Sequence, residues 1–305
     1  MRALVLAEKK KFAEPFVTAL EERGVNAKYL RISKVSLVSR KKGTLIKSLG
    51  KELAVYDGVF IQVRLSLAPF IEPLLEELKL RGTYVNVSPG SYYMGFNEPY
   101  QFVALAQGRV NIPRTITSGS GQNIQRISKH ISYPLVAKSF KERTVQQSLV
   151  VNNGRDLNSF VKSIRTEMDG FMLREFIEDD VISCAVIGEK IYAIKRKMVD
   201  DVPVNIDKGT FYRPTEKDQE NAILAAKVSG YDIARVDMVK GKVIDVKPIV
   251  PWAAFNKVCS ENMEENVALF LAEQMKLATS RLTLIDDLKE IKGIISRTIF
   301  GRFLK

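Results

Sequence analysis

Short apolar runs and amphipathic stretches take turns along roughly the first ninety residues of the chain. Ala3–Leu6, Ala27–Leu30, Gly58–Val63 and Tyr84–Val87 are of strand length, and between them Phe12–Glu22 and Pro69–Leu80 repeat their apolar positions at helical spacing. Gly24 and Gly82 follow those helices as stop signals. Alternation of this kind predicts a small parallel-sheet α/β unit, because parallel neighbours need a crossover and a helix supplies it. The turn cluster Ser88-Pro-Gly-Ser91 marks its end.

Beyond that boundary the pattern changes. Helices are predicted at about Tyr100–Ala106, Ile124–His130, Leu157–Thr166, Glu216–Val228 and Glu264–Met275. Strands are predicted at Thr115–Ile116, Tyr133–Ser139, Ser148–Val151, Phe171–Phe176, Ile182–Ile187 and Lys190–Lys197, the last two turned by Gly188-Glu189. Asp200–Gly209 reads as a loop. The expected class is α/β plus α+β, with a first domain over 1–91, a second over 92–277 and a C-terminal segment over 278–305. In that segment Leu284, Leu288, Ile291, Ile295 and Ile299 recur at helical spacing amid basic residues. Such a helix docks its stripe on protein, or on a second copy of the chain, or lies on an anionic membrane surface.

The pattern is most unusual at Ile233–Pro248, where two β-branched runs meet at Lys240-Gly241-Lys242 and each carries one acid. Folded as a hairpin about Gly241, it sets Asp237 opposite Asp245. Period-two alternation then places Arg235, Asp237, Asp245 and Lys247 on one face, and Val236, Met238, Ile244 and Val246 on the other. Two adjacent carboxylates need a cation. Either a hard metal ion such as magnesium supplies it, or the neighbouring arginine and lysine do.

Composition changes the picture in two places. The net charge is +12, and from Lys28 to Lys51 there are eight Lys or Arg and no acid. This run is either a solvated surface or a meeting point for an anionic partner; aromatic interleaving and zinc spacing, which would favour nucleic acid, are missing. No apolar run approaches the roughly 20 residues that span a bilayer, and the first residues do not read as a cleaved signal, so a cytoplasmic protein without a transmembrane segment is expected. Cys184 and Cys259 are isolated and read as core thiols. His130 reads as a surface residue.

The order of elements and several residue groups resemble the ATP-grasp superfamily, most closely its RimK-like glutamate ligases, over about residues 1 to 277. The resemblance implies a small N-terminal domain (the pre-ATP-grasp domain), then two lobes that clamp ATP with magnesium, and a reaction joining a carboxylate to an amine through an acyl phosphate. Pro134-Leu-Val-Ala-Lys138 looks like the strand whose lysine reaches the α and β phosphates, and Met172-Leu-Arg-Glu-Phe-Ile177 like the hinge, where backbone groups of Glu175, Phe176 and Ile177 would grip adenine. Arg196 matches the arginine at the reaction centre. Asn205 and Lys208 match a loop that serves phosphate and acyl groups, and Asp237 and Asp245 match the metal acids.

Several positions depart from that pattern. Asn97-Glu98 stands where the family has Asp-Lys, Phe140–Gln147 lacks the glycines of a phosphate-covering loop, and Val181-Ile-Ser183 replaces an Asp-x-Arg motif. Lys247 stands where an asparagine would complete the metal site, and Arg235 where a small residue precedes the first acid. Trp252 replaces part of a small glycine-containing turn and is expected to crowd a substrate. An ammonium has donors and no lone pair, so it cannot ligate magnesium. Unit charges about 4 Å apart interact by roughly 4 kcal/mol at an effective dielectric of 20, enough for an ion pair to displace a weakly held metal. Two functions are consistent with the resemblance: an ATP-dependent ligase acting on a glutamate-like amino acid and a carboxylate acceptor, or an inactive homologue that keeps the clamp and binds an adenine nucleotide or an anionic partner.

Overall fold

The computed structural model describes residues 1–141, 144–164, 168–199 and 202–280. Two compact units emerge, one from 1–63, 73–86 and the described part of 264–305, the other from 64–72 and 87–263.

The first unit is built on a parallel sheet, β1 (Arg2–Ala7), β2 (Asn26–Arg31), β6 (Gly58–Gln62) and β7 (Tyr84–Val85), in the order β2-β1-β6-β7. β1 is buried at every position but its first, as a central strand covered on both faces must be. The helix α1 (Lys10–Glu22) turns Ala13, Phe16, Ala19 and Leu20 inward, and Phe16 meets Phe60 edge to face at 5.0 Å. Residues 263–280 are helical, and Gly58 lies so close to Met275 that a larger residue there would have to displace the methionine side chain. The sequence pattern assigned this helix to the end of the second domain; it packs with the first. The remainder of the expected C-terminal helix, from 281 on, lies outside the described residues.

The basic run contains structure that the sequence reading missed. β3 (Val35–Arg40), β4 (Gly43–Ser48) and β5 (Lys51–Glu52) form an antiparallel sheet around buried Val35 and Ile46. Lys28, Lys34, Arg40, Lys41, Lys42 and Lys51 are exposed on it or beside it.

α2 (Ala68–Leu80) follows β6, and the chain then enters the second unit through two short helices, α3 (Ser91–Phe96) and α4 (Glu98–Gln107). Glu72 caps α3 by accepting from the amides of Gly90 and Tyr93. One antiparallel sheet holds β8 (Thr115–Ser118), β9 (Leu135–Lys141), β10 (Thr144–Val151) and β11 (Gly170–Glu175) in the order β10-β9-β11-β8. The helices α5 (Gly121–Ile127) and α6 (Gly154–Ser163) bury Ile124, Leu157 and Phe160 against it. Where a loop over Phe140–Gln147 was expected, β9 and β10 stay paired to Lys141 and Thr144. Without glycine, this segment favours the β region and extends the hairpin.

The other sheet holds β12 (Val181–Ile187), β13 (Lys190–Arg196), β16 (Thr210–Tyr212), β17 (Ile233–Val239) and β18 (Lys242–Lys247), in the order β16-β13-β12-β17-β18. Between β13 and β16 the chain forms the small pair β14 (Met198–Val199) and β15 (Val202–Pro203), then a 3-10 turn at Ile206–Lys208. α7 (Glu216–Val228), capped by Thr215, and α8 (Trp252–Cys259) pack on this sheet. Trp252 opens α8 as a buried residue and packs there.

Candidate functional site

The hairpin β17–β18 sets Asp237 opposite Asp245 and Arg235 opposite Lys247. Its register slips immediately after the acids, leaving Ile244 as an extra residue. This corrects the assignment of Ile244 to the far face: the bulge turns it to the same side as Val239 and the acids, while Met238 faces a separate cavity of about 540 Å³.

Both acids are surrounded by donors. Asp237, almost fully buried, accepts from the Ser183 hydroxyl at 2.6 Å through Oδ1 and from Arg196 Nη2 at 3.1 Å through Oδ2. Arg235 joins the pair, with Nε 3.3 Å from Asp237 Oδ2 and Nη2 2.8 Å from Asp245 Oδ2. Lys247 Nζ lies 3.1 Å from Asp245 Oδ1 and also donates to the carbonyl of Gly95 at 3.2 Å. A side chain at Gly95 would run into Tyr231, whose hydroxyl donates to the Ser91 carbonyl. Burial pushes the Asp237 carboxyl above its ordinary range against the pull of Arg235 and Arg196. Asp245 is half-buried and its desolvation acts in the same direction, but Lys247 and Arg235 outweigh it and hold its carboxyl low.

The adjoining sheet contributes a second cluster. Lys138 on β9 and Arg174 on β11 share a face, since Lys138 pairs with Met172 and Val136 with Arg174. Their common partner is Glu98, at 2.6 Å from Lys138 Nζ and 3.5 Å from Arg174 Nη1. Glu98 is the first residue of α4, fixed there by Asn97, whose side chain accepts from the Tyr100 amide. Arg174 also donates to the Ile244 carbonyl at 2.9 Å and stacks over Phe102 at 5.4 Å. Burial lowers the Lys138 pKa, and Glu98 opposes that shift. Arg174 was missed in the sequence, where it reads as one more alternating polar residue of a hinge strand.

A cavity of about 660 Å³ opens beside these residues, with Lys138 and Arg174 at its polar end, Val136, Val239 and Ile244 as apolar wall, and Glu175–Ile177 along its rim. In that stretch the Glu175 amide donates to Arg114 O and the Phe176 amide to Pro134 O, which leaves the Ile177 amide as the candidate for a base edge. The Glu175 carboxylate takes Lys242 at 2.8 Å, whose hydrogen bond lowers its pKa. Asn205 and Lys208 are exposed, and it is the preceding carbonyl, that of Val204, which meets Arg196 at 3.3 Å. His130 is exposed, Cys184 buried and Cys259 half-buried.

The sequence model of the RimK-like ATP-grasp domain matches residues 100–250, the span that holds Lys138, Arg174, Arg196, the acidic hairpin and the cavity. The chain is a RimK-like ATP-grasp protein. Relatives include a probable alpha-L-glutamate ligase of Vibrio parahaemolyticus, 22% identical over 231 residues that cover 73% of this chain and 77% of the relative. Another, from Psychromonas ingrahamii, is 22% identical over 252 residues, covering 78% and 83%. Among solved structures, the ATP-grasp ligase PsnB, complexed with a phosphomimetic variant of its minimal precursor, magnesium and ADP, aligns with a TM-score of 0.68 at 13% identity over 90% of this chain and 98% of that one. The RimK domain protein of Sphaerobacter thermophilus aligns with a TM-score of 0.64 at 14% identity, over 89% and 100%. ATP and magnesium are general to such ligases.

The ATP-grasp protein described here does not fit magnesium at its acid pair. Each of the four carboxylate oxygens of Asp237 and Asp245 is engaged by a hydroxyl, guanidinium or ammonium. No group of three or more His, Cys, Asp or Glu among the described residues is arranged to hold a metal ion. No helix among them is long and apolar enough to cross a membrane.

Proposed function

We propose that this protein is an ATP-dependent carboxylate–amine ligase that acts on a glutamate-like amino acid. The observation that carries the reading is the cavity of about 660 Å³ between the apolar wall and the Lys138/Arg174 cluster. Its volume and lining suit an adenosine moiety, and its polar end suits phosphates. In this reading adenine lies along Glu175–Ile177, and Lys138 and Arg174 hold the α and β phosphates. The γ-phosphoryl group passes to a carboxylate oxygen of the acceptor, breaking the bond to ADP and forming an acyl phosphate. Arg196 neutralises the charge of that group, and Asn205 and Lys208 close over it from their exposed turn. The amine then attacks the acyl carbon and phosphate leaves.

An acyl phosphate has a specific signature. When the acceptor carboxylate is labelled with oxygen-18, one labelled oxygen should appear in the released phosphate, and only with ATP, acceptor and amine all present. Scanning glutamate with carboxylate acceptors identifies the substrate pair. Phosphate without label would mean that water, not a carboxylate, takes the phosphoryl group.

A second reading is favoured by the saturated acid pair. With Arg196, Arg235 and Lys247 bound to Asp237 and Asp245, the same clamp would hold a nucleotide without turning it over. Nucleotide binding with no phosphate release under any substrate pair would favour it.

A further inference from the structure

The acid pair is tied up by cations of its own, two further cations, Lys138 and Arg174, line the polar end of the neighbouring cavity, and the charges do not balance. Lys138, Arg174, Arg196, Arg235 and Lys247 surround Glu98, Asp237 and Asp245, an excess of two positive charges. The two clusters sense one another, since Lys138 acts electrostatically on Asp245. One guanidinium donor is also unspent: Nε of Arg196 is buried without a hydrogen-bond acceptor among the described residues. A buried N–H group of this kind asks for an oxygen. Bound magnesium would stand against Arg235 and Lys247 at ion-pair range and would have to expel them from Asp245.

We propose that Arg235 and Lys247 take the place of magnesium in this protein, so that the cleft binds the polyphosphate chain of a nucleotide as the metal-free anion. Their guanidinium and ammonium groups neutralise the acid pair permanently, and the excess charge, carried by Lys138 and Arg174 at the polar end of the cavity, receives phosphate oxygens. A nucleotide carrying magnesium brings two fewer negative charges to the same cations and gains less. This inference rests on the nucleotide reading of the cavity.

Calorimetric titration of the full chain with ATP, in EDTA and in excess magnesium, tests it. The expected result is affinity in EDTA equal to that in magnesium within about threefold, or tighter. Manganese added to the ATP-bound protein should show no protein-dependent enhancement of water proton relaxation. In the double variant Lys247→Asn/Arg235→Gly, which restores an oxygen ligand, magnesium should tighten ATP binding by about tenfold or more. Wild-type binding that magnesium strengthens about tenfold, or a manganese relaxation signal in the wild type, would overturn the proposal and leave the nucleotide reading standing. Absence of ATP binding in both media would overturn the two together. The wild-type measurements decide the matter even if the double variant fails to fold.

Discussion

The Lys138 ammonium lies 2.6 Å from Oε1 of Glu98, so the lysine assigned to phosphate already holds a carboxylate. An incoming phosphate must share Lys138 with that carboxylate and is repelled by it. Glu98→Gln should therefore tighten ATP binding by about 1 kcal/mol, the scale of one competing hydrogen bond. Lys138→Ala should weaken it by roughly 1.5 to 3 kcal/mol, as for a charged hydrogen bond lost. Calorimetry on the two variants checks both, and opposite signs are the expected outcome.

Asp237 and Asp245 should differ in what they contribute to stability. Asp237 is almost fully buried and holds Arg196, Arg235 and Ser183, so Asp237→Ala strands two cations and should cost about 3 to 5 kcal/mol. The Asp245 side chain is 26% exposed, so water can reach the partners left behind by Asp245→Ala, and the cost should be distinctly smaller. Urea unfolding of the two variants tests the order; equal losses would contradict it.

Acid should release the Glu175–Lys242 tie. The hydrogen bond from Lys242 holds the Glu175 pKa below its ordinary value. A carboxyl depressed in the folded state contributes stability that is present above its unfolded pKa and lost as pH falls through the folded one. Lys242→Ala should remove that contribution, so the stability of the variant falls less steeply than that of the wild type as pH drops below the ordinary glutamate range. Melting temperature against pH for both proteins reads the difference.

The thiols should be silent at neutral pH. Burial raises the Cys259 pKa to about 11 and that of Cys184 further still. Thiolate is the reacting form, so an alkylating reagent at pH 7 should label neither in the native protein and both in denaturant. Native labelling of Cys259 should begin only in strongly alkaline solution. A mass shift at pH 7 without denaturant would contradict this.

The sequence by itself determined most of the longer helices and strands and their order, the parallel start of the chain and the acidic hairpin with Asp237 opposite Asp245. Local rules were sufficient there. Helical spacing ended by Gly24 and Gly82, and β-branched runs turned at Gly241, are decided by neighbours a few residues away, and the register of a tight hairpin is set by its turn. The departures at Glu98, Arg235 and Lys247 stood out against the pattern of the family that the sequence resembles, which is compared position by position and needs no fold. The hairpin in the basic run was hidden because its alternation is interrupted by charges that cost nothing on an exposed sheet.

Tertiary structure alone decided which charges meet. Lys138 and Glu98 are forty residues apart in sequence, Arg196 and Asp237 forty-one, and Arg174 and the Ile244 carbonyl seventy. No period or spacing encodes those distances, which arise from sheet order and from where α4 rests. The bulge that brings Ile244 to the cavity is likewise invisible in the alternation, since one extra residue inverts the face of its successors along the strand. Whether paired carboxylates hold a metal or an ion-pair cluster depends on side-chain reach across strands, and only the folded sheet, with Ser183, Arg196, Arg235 and Lys247 all within bonding distance, closes every oxygen of the pair.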